Sequence, residues 1–124
     1  MPVTSLQVFK TAWFAKAASK SKIPDTDLCA AVLQAMRGQA EDLGAGVFKK
    51  RLNDNLHRSI LLAKGGRRWV FEFLFAKSDR ANISDEELAA FRKLARVYAA
   101  LDESQVTELI ASGQFVEICN ADKA

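Results

Sequence analysis

Histidine, tyrosine, proline and cysteine are scarce in this sequence, with one His, one Tyr, two Pro and two Cys in 124 residues. A single histidine excludes nuclease mechanisms that pass protons between two histidines of one chain. Cys29 falls in an apolar helical pattern and Cys119 in an apolar strand-like one. Two cysteines make neither a disulfide framework nor a metal quartet, so both are expected as buried, inert thiols. No His/Cys/Asp/Glu cluster has metal-ligand spacing, and neither GxxxxGK[ST] nor GxGxxG occurs. No Ser or Cys stands in a motif that would activate it. No cofactor and no metal are expected. No apolar run approaches the roughly 18 residues of a membrane span, and the opening MPVTSLQVFK lacks the basic-then-apolar layout of a signal peptide. The expectation is a soluble cytoplasmic protein without membrane contact.

What is abundant is apolar residues, at 49%, enough to bury a modest core in one domain spanning residues 1–124. The net charge of +3 hides a strong polarity. Residues 49–80 carry nine basic and three acidic side chains, whereas residues 81–124 carry four basic and eight acidic. A concentrated cationic segment suits a polyanion such as nucleic acid; a solvated sheet edge protected by Lys and Arg would give the same composition.

Periodicity predicts a strand over Leu6–Thr11, a short helix over Trp13–Ser19, and a second helix from Pro24-Asp25 to a stop at Gly38. The two helices can form a hairpin. Asp42 to Gly46, with two glycines, reads as a flexible loop. Strands follow at Val47–Leu52, Ser59–Ala63 and Trp69–Ala76, the last so apolar that both its faces should be covered. Lys64-Gly65-Gly66-Arg67 is a tight turn between the last two. Ser84 and Glu87 form a capping box that starts a helix with Leu88, Phe91, Leu94, Ala95, Tyr98 and Leu101 on one face. Asp102 with Gln105 opens a further short helix ending near Gly113, and Phe115–Ile118 is a final strand. The order predicts an α+β fold, a small and mainly antiparallel sheet packed against an N-terminal helical hairpin and C-terminal helices.

The candidate site is built from cations. Lys49 and Arg51 share one strand face with Lys50 on the other, His57 and Arg58 open the next strand, and Lys77 and Arg80 follow the fourth. If these strands are neighbours, the clusters converge at one end of the sheet. Such a site can cleave RNA without metal. The ribose 2′-OH attacks the adjacent phosphorus, cations stabilise the phosphorane charge, and a lysine with a depressed pKa or His57 moves the protons. Each residue also has a structural reading: a solvated edge for Lys49, Lys50 and Arg51, a turn position for His57, and ion pairs for Arg58, Lys77 and Arg80. Trp69, Phe71, Phe73 and Phe75 read as core rather than as a base-stacking platform.

The stretches Phe48-Lys49-Lys50-Arg51-Leu52, Arg58-Ser59-Ile60 and Leu74 to Ile83, the last carrying FAKxxRxNI, resemble RelE-type toxins, most closely the HigB-like branch. The pattern FKTxWFxKxAxKxxIxDxxLCxAV from Phe9 to Val32 is similar to that branch too. The resemblance implies a microbial RNase fold and a toxin of a type II toxin–antitoxin module, acting as a ribosome-dependent mRNA endonuclease in the A site and leaving a 2′,3′-cyclic phosphate. It implies a cognate antitoxin, often of helix-turn-helix type, through which the complex reaches operator DNA. It implies contacts to the scissile region from Lys49 and Arg51, phosphate stabilisation by Arg58, and a basic stretch at Lys77 and Arg80. Lys50, Arg67, Arg68 and Asn82 are expected to add RNA contacts. The sequence departs from the family at Ser78, where RelE has an arginine, near Ser84, where RelE has a functional tyrosine, and at Asn55-Leu56-His57, where His57 replaces a tyrosine. These departures keep a second reading open: a non-nuclease relative, acting as corepressor or as a ParE-like gyrase poison.

Overall fold

A computed structural model of the protein describes residues 6–65 and 67–119. Ten elements follow in the order β1 (Gln7–Thr11), α1 (Ala12–Lys20), α2 (Asp25–Met36), β2 (Glu41–Gly44), β3 (Val47–Leu52), β4 (His57–Leu62), β5 (Arg68–Ala76), α3 (Asp85–Ala100), α4 (Glu103–Ala111) and β6 (Phe115–Ile118). The strands form one six-stranded sheet in the order β2-β3-β4-β5-β1-β6. β1 runs parallel to β5, and the other pairings are antiparallel. This is the expected α+β class with a mainly antiparallel sheet.

Alternation along the strands sends apolar side chains to both faces. On one face Val8, Leu61 and Phe71 meet Phe14 and Ala18 of α1 and Leu28, Ala31 and Val32 of α2. On the other, Val47, Ile60 and Leu62 meet Ala95 of α3, with Leu88, Phe91 and Leu94 partly buried beside it. Phe9, Val70 and Phe115 of that face pack with Val106 of α4. β5 lies inside the sheet and is covered on both sides, as its continuous apolar run requires.

Local signals place the helix starts. Ser84 accepts from the Glu87 amide while the Glu87 carboxylate accepts from the Ser84 amide, and Asp102 and Gln105 repeat the arrangement at α4. Among the described residues, no helix is long and apolar enough to cross a membrane.

Two expectations are corrected. The segment read as a flexible loop is a hairpin: β2 pairs with β3, Glu41 opposite Lys49 and Asp42 opposite Phe48. Ala45 (φ +55°) and Gly46 (φ +86°) form its two-residue turn, the backbone sense that matches strand twist. A Cβ on Gly46 would lie 2.7 Å from Lys64 Cβ, so only glycine fits this close approach. Arg92 of α3 donates to the Leu43 carbonyl and holds the edge strand down. Secondly, Cys29 and Cys119 are joined in a disulfide across a sequence separation of 90 residues, rather than being free thiols. The fold sets α2 beside the chain leaving β6, bringing the two Cα atoms to 5.5 Å, a normal bridging distance. The expected Lys64–Arg67 turn contains Gly65 at φ +90°; Gly66 lies outside the described residues.

Candidate nucleic-acid interface

The three middle strands carry the cations to one end of the sheet. Arg51 of β3 stands directly opposite Arg58 of β4, and Arg58 stands opposite Phe75 of β5. One row along, Lys49 is opposite Ile60, which is opposite Phe73. Lys49, Arg51 and Arg58 therefore share the face that α3 covers farther along the sheet. Like charges directly opposite each other on neighbouring strands destabilise a sheet. Among the described residues, no carboxylate relieves the Arg51–Arg58 pair. The Arg58 guanidinium is held instead by the carbonyls of Asn55 (3.1 Å) and His57 (3.2 Å).

A cleft of about 440 Å³ opens here, lined by Gln39, Ala40, Glu41, Lys49, Lys50, Arg51, Arg58 and Ala81. Lys50 points to the opposite face by alternation but borders the same cleft, because β2 begins only at Glu41 and leaves the β3 edge open. Burial, and then the neighbouring Arg51, push the Lys50 amine below its ordinary value. Lys49 Nζ lies 3.2 Å from Glu41 Oε1 and donates to Asn82 Oδ1 at 3.2 Å. The acid and amide fix its position beneath the loop that joins β5 to α3.

The other expected residues divide. Arg80 is brought to this end, but Glu87 occupies its fork, with Nη2 to Oε1 at 2.5 Å and Nη1 to Oε2 at 3.1 Å, and its Nε donates to the Asn82 carbonyl. That pair is the first cause holding the Glu87 carboxyl at about 2, and it raises Arg80. The guanidinium also lies over Phe75 at 5.6 Å and Phe73 at 6.0 Å. Arg80 is thus a clamp between the loop, α3 and an aromatic face. Lys77 follows β5 with no side-chain partner among the described residues, its amide donating to the Leu56 carbonyl. His57 adjoins Arg58 in sequence and so points to the other face; its Nδ1 meets Asn53 Nδ2 at 3.2 Å.

Arg67 and Arg68, expected to add RNA contacts, do not line the cleft. They stand at the start of β5, and Arg58 is opposite its end at Phe75, about 23 Å away along an extended strand. Arg68 donates to the carbonyls of Tyr98 (2.6 Å) and Leu101 (3.1 Å) and to Gln7 Oε1 (3.1 Å), with Glu103 at 3.5 Å. It satisfies carbonyls that the C-terminal turn of α3 leaves open. Arg67 faces Glu103 at 3.5 Å in solvent.

Sequence reasoning missed two residues. Glu41 lines the cleft against Lys49, but it preceded a segment read as loop, and no local pattern connects it to a lysine on another strand. Trp13 read as the first residue of a short helix, yet its side chain is exposed and stacks on Phe73 with ring centroids 5.1 Å apart.

The family model for the RelE toxin of RelE/RelB toxin–antitoxin systems matches residues 6–118. No curated protein and no solved structure matches the chain.

Proposed function

The chain belongs to the RelE toxin family, and from that premise we propose that it is the endoribonuclease of a toxin–antitoxin pair, cutting mRNA in the ribosomal A site. One observation carries this reading. Arg51 and Arg58 are held side by side without an acidic partner among the described residues, in a cleft that Lys49 and Lys50 complete. A phosphate between them would remove the repulsion, and phosphorane charge would remove more of it, so the pair favours the transition state over the ground state.

In this mechanism Arg58, fixed by two carbonyls, and Arg51 stabilise the equatorial phosphoryl oxygens. Lys50, whose amine is pushed below its ordinary value by burial and by Arg51, takes the 2′-hydroxyl proton. Lys49, oriented by Glu41 and Asn82, donates toward the leaving 5′-oxygen. Arg80 and Asn82 position the loop above the cleft, Lys77 adds long-range attraction, and His57 supports the strand entry from the far face. The antitoxin partner, expected to be a helix-turn-helix protein, would mask this surface with acidic side chains and carry the toxin to operator DNA.

The test is induced expression without antitoxin, followed within minutes by primer extension on an abundant translated mRNA. Cuts within translated regions that disappear with Arg58→Ala are expected. Intact mRNA accompanied by DNA breaks would replace this reading with a gyrase poison, and unimpaired growth would leave a corepressor.

A further inference from the structure

Among the described residues Trp13 is the exposed large aromatic, at 51% exposure, although tryptophan has a large apolar surface to bury. It sits in the first turn of α1, whose cap is the Thr11 hydroxyl bonded to the Phe14 amide. Its inner ring face lies on Phe73 at 5.1 Å and 21°. Phe73 is itself backed by Phe91 at 5.8 Å and Phe75 at 6.0 Å, with the Arg80 guanidinium over Phe73 and Phe75. The indole is therefore braced from behind, while among the described residues no ring or cation covers its other side. Phe75 is the cross-strand partner of Arg58. Phe73 is then Arg58's diagonal neighbour on the same face, about 7–8 Å away, and Trp13 lies one ring stack beyond. The braced indole thus does not line the cleft itself but lies one ring beyond the diagonal neighbour of Arg58, which does.

We propose that Trp13 is a nucleobase-stacking residue, holding an unpaired RNA base next to the scissile phosphate while Arg51 and Arg58 hold the phosphate. This rests on the nuclease reading above. Every base has a π-face, so the contact serves positioning and affinity rather than sequence readout. The neighbouring charge favours RNA over an apolar protein segment as the occupant, because Arg58, which has no acidic partner among the described residues, stands opposite Phe75 of the same ring cluster.

The experiment compares cleavage of ribosome-bound mRNA by wild type, Trp13→Leu, Trp13→Phe and Arg58→Ala, each first shown to be folded by its melting transition. Leucine keeps apolar cover over Phe73 but has no ring. Loss of one stack raises KM roughly five- to a hundred-fold, and Trp13→Phe restores most of it; a purely structural role would not discriminate ring from aliphatic in this way. An abasic nucleotide beside the cut should lower wild type to the Trp13→Leu level and leave Trp13→Leu unchanged. Wild-type kinetics in Trp13→Leu, with Arg58→Ala inactive, would overturn the stacking role and leave the nuclease standing. The same kinetics with neutralisation by the antitoxin lost would assign the indole to the antitoxin instead. If wild type cuts nothing, the nuclease reading fails and stacking is read directly, from the emission that Trp13→Phe removes. Quenching of that emission by a single-stranded heptaribonucleotide supports it, and its absence overturns it.

Discussion

A pair of arginines lies near each end of β5, Arg67 and Arg68 at its start and Arg51 and Arg58 on the two strands beside its end, and the two pairs do different things. At the Arg68 end, the guanidinium is 10% exposed and bonded to two helix carbonyls, a glutamine and Glu103. The disulfide lies toward this end as well, because Ile118, beside Cys119, shares a row with Val8 and Trp69. At the Arg58 end, two arginines face each other with, among the described residues, no acid between them, and with an open cleft beside them. Positive charge thus does not locate a ligand site; the internal partners of that charge do. Where the fold has already supplied acceptors the cation is structural, and where it leaves repulsion unrelieved the pair fits the anion-binding role proposed above.

Perturbing each end should separate stability from activity. The largest expected effect is at the quiet end: reducing Cys29–Cys119, which closes a span of 90 residues, should lower unfolding free energy by about 4.6 kcal/mol on the chain-entropy account. Urea unfolding with and without dithiothreitol measures this. Cleavage under native conditions should be unchanged, so the reduced form is expected to be equally active but less stable. At the other end, Arg58→Ala should cut the rate about 10²–10³-fold, the magnitude of losing one preorganised oxyanion donor, with little change in the melting transition. If Arg58→Ala instead unfolds the protein, the contrast between the ends fails.

Arg68→Ala should cost about 2 kcal/mol, because it leaves helix carbonyls without their charged donor, and activity should fall only with the folded fraction. Arg67→Ala, removing an exposed pair, should stay within about 0.5 kcal/mol and leave cleavage untouched. The smallest effect is one of pH. Glu87 is depressed from 4.5 to about 2, so its contribution to stability is complete above 4.5 and disappears as the pH falls toward 2. Glu87→Gln should flatten that part of the acid-unfolding curve. The change should be modest, since solvent screens the Arg80 pair.

Much of the fold was legible because its signals are local. Ser84 with Glu87 and Asp102 with Gln105 cap their own helices within four residues, and the Trp69–Ala76 run announces a strand covered on both faces. β2 was not legible: Ala45 at φ +55° is an unusual occupant of a hairpin turn, and Glu41 and Asp42 form a strand only because β3 offers an edge. The cluster of Lys49, Arg51 and Arg58 could be anticipated because β3 and β4 are consecutive strands. The engagement of Arg80 by Glu87 could also be sensed from the helix start nearby. Arg68 could not be assigned, since its acceptors Tyr98 and Leu101 lie some 30 residues on.

The sequence by itself determined the α+β class, the helix starts, the buried central strand and the position of positive charge, because propensity, capping and periodicity act over a few residues. Only the tertiary structure decided which arginines are structural and which face an open cleft, that Cys29 meets Cys119, and that Trp13 is braced on Phe73 beside the cations. Those outcomes depend on strand order and register, which bring together residues whose separation along the chain carries no pattern.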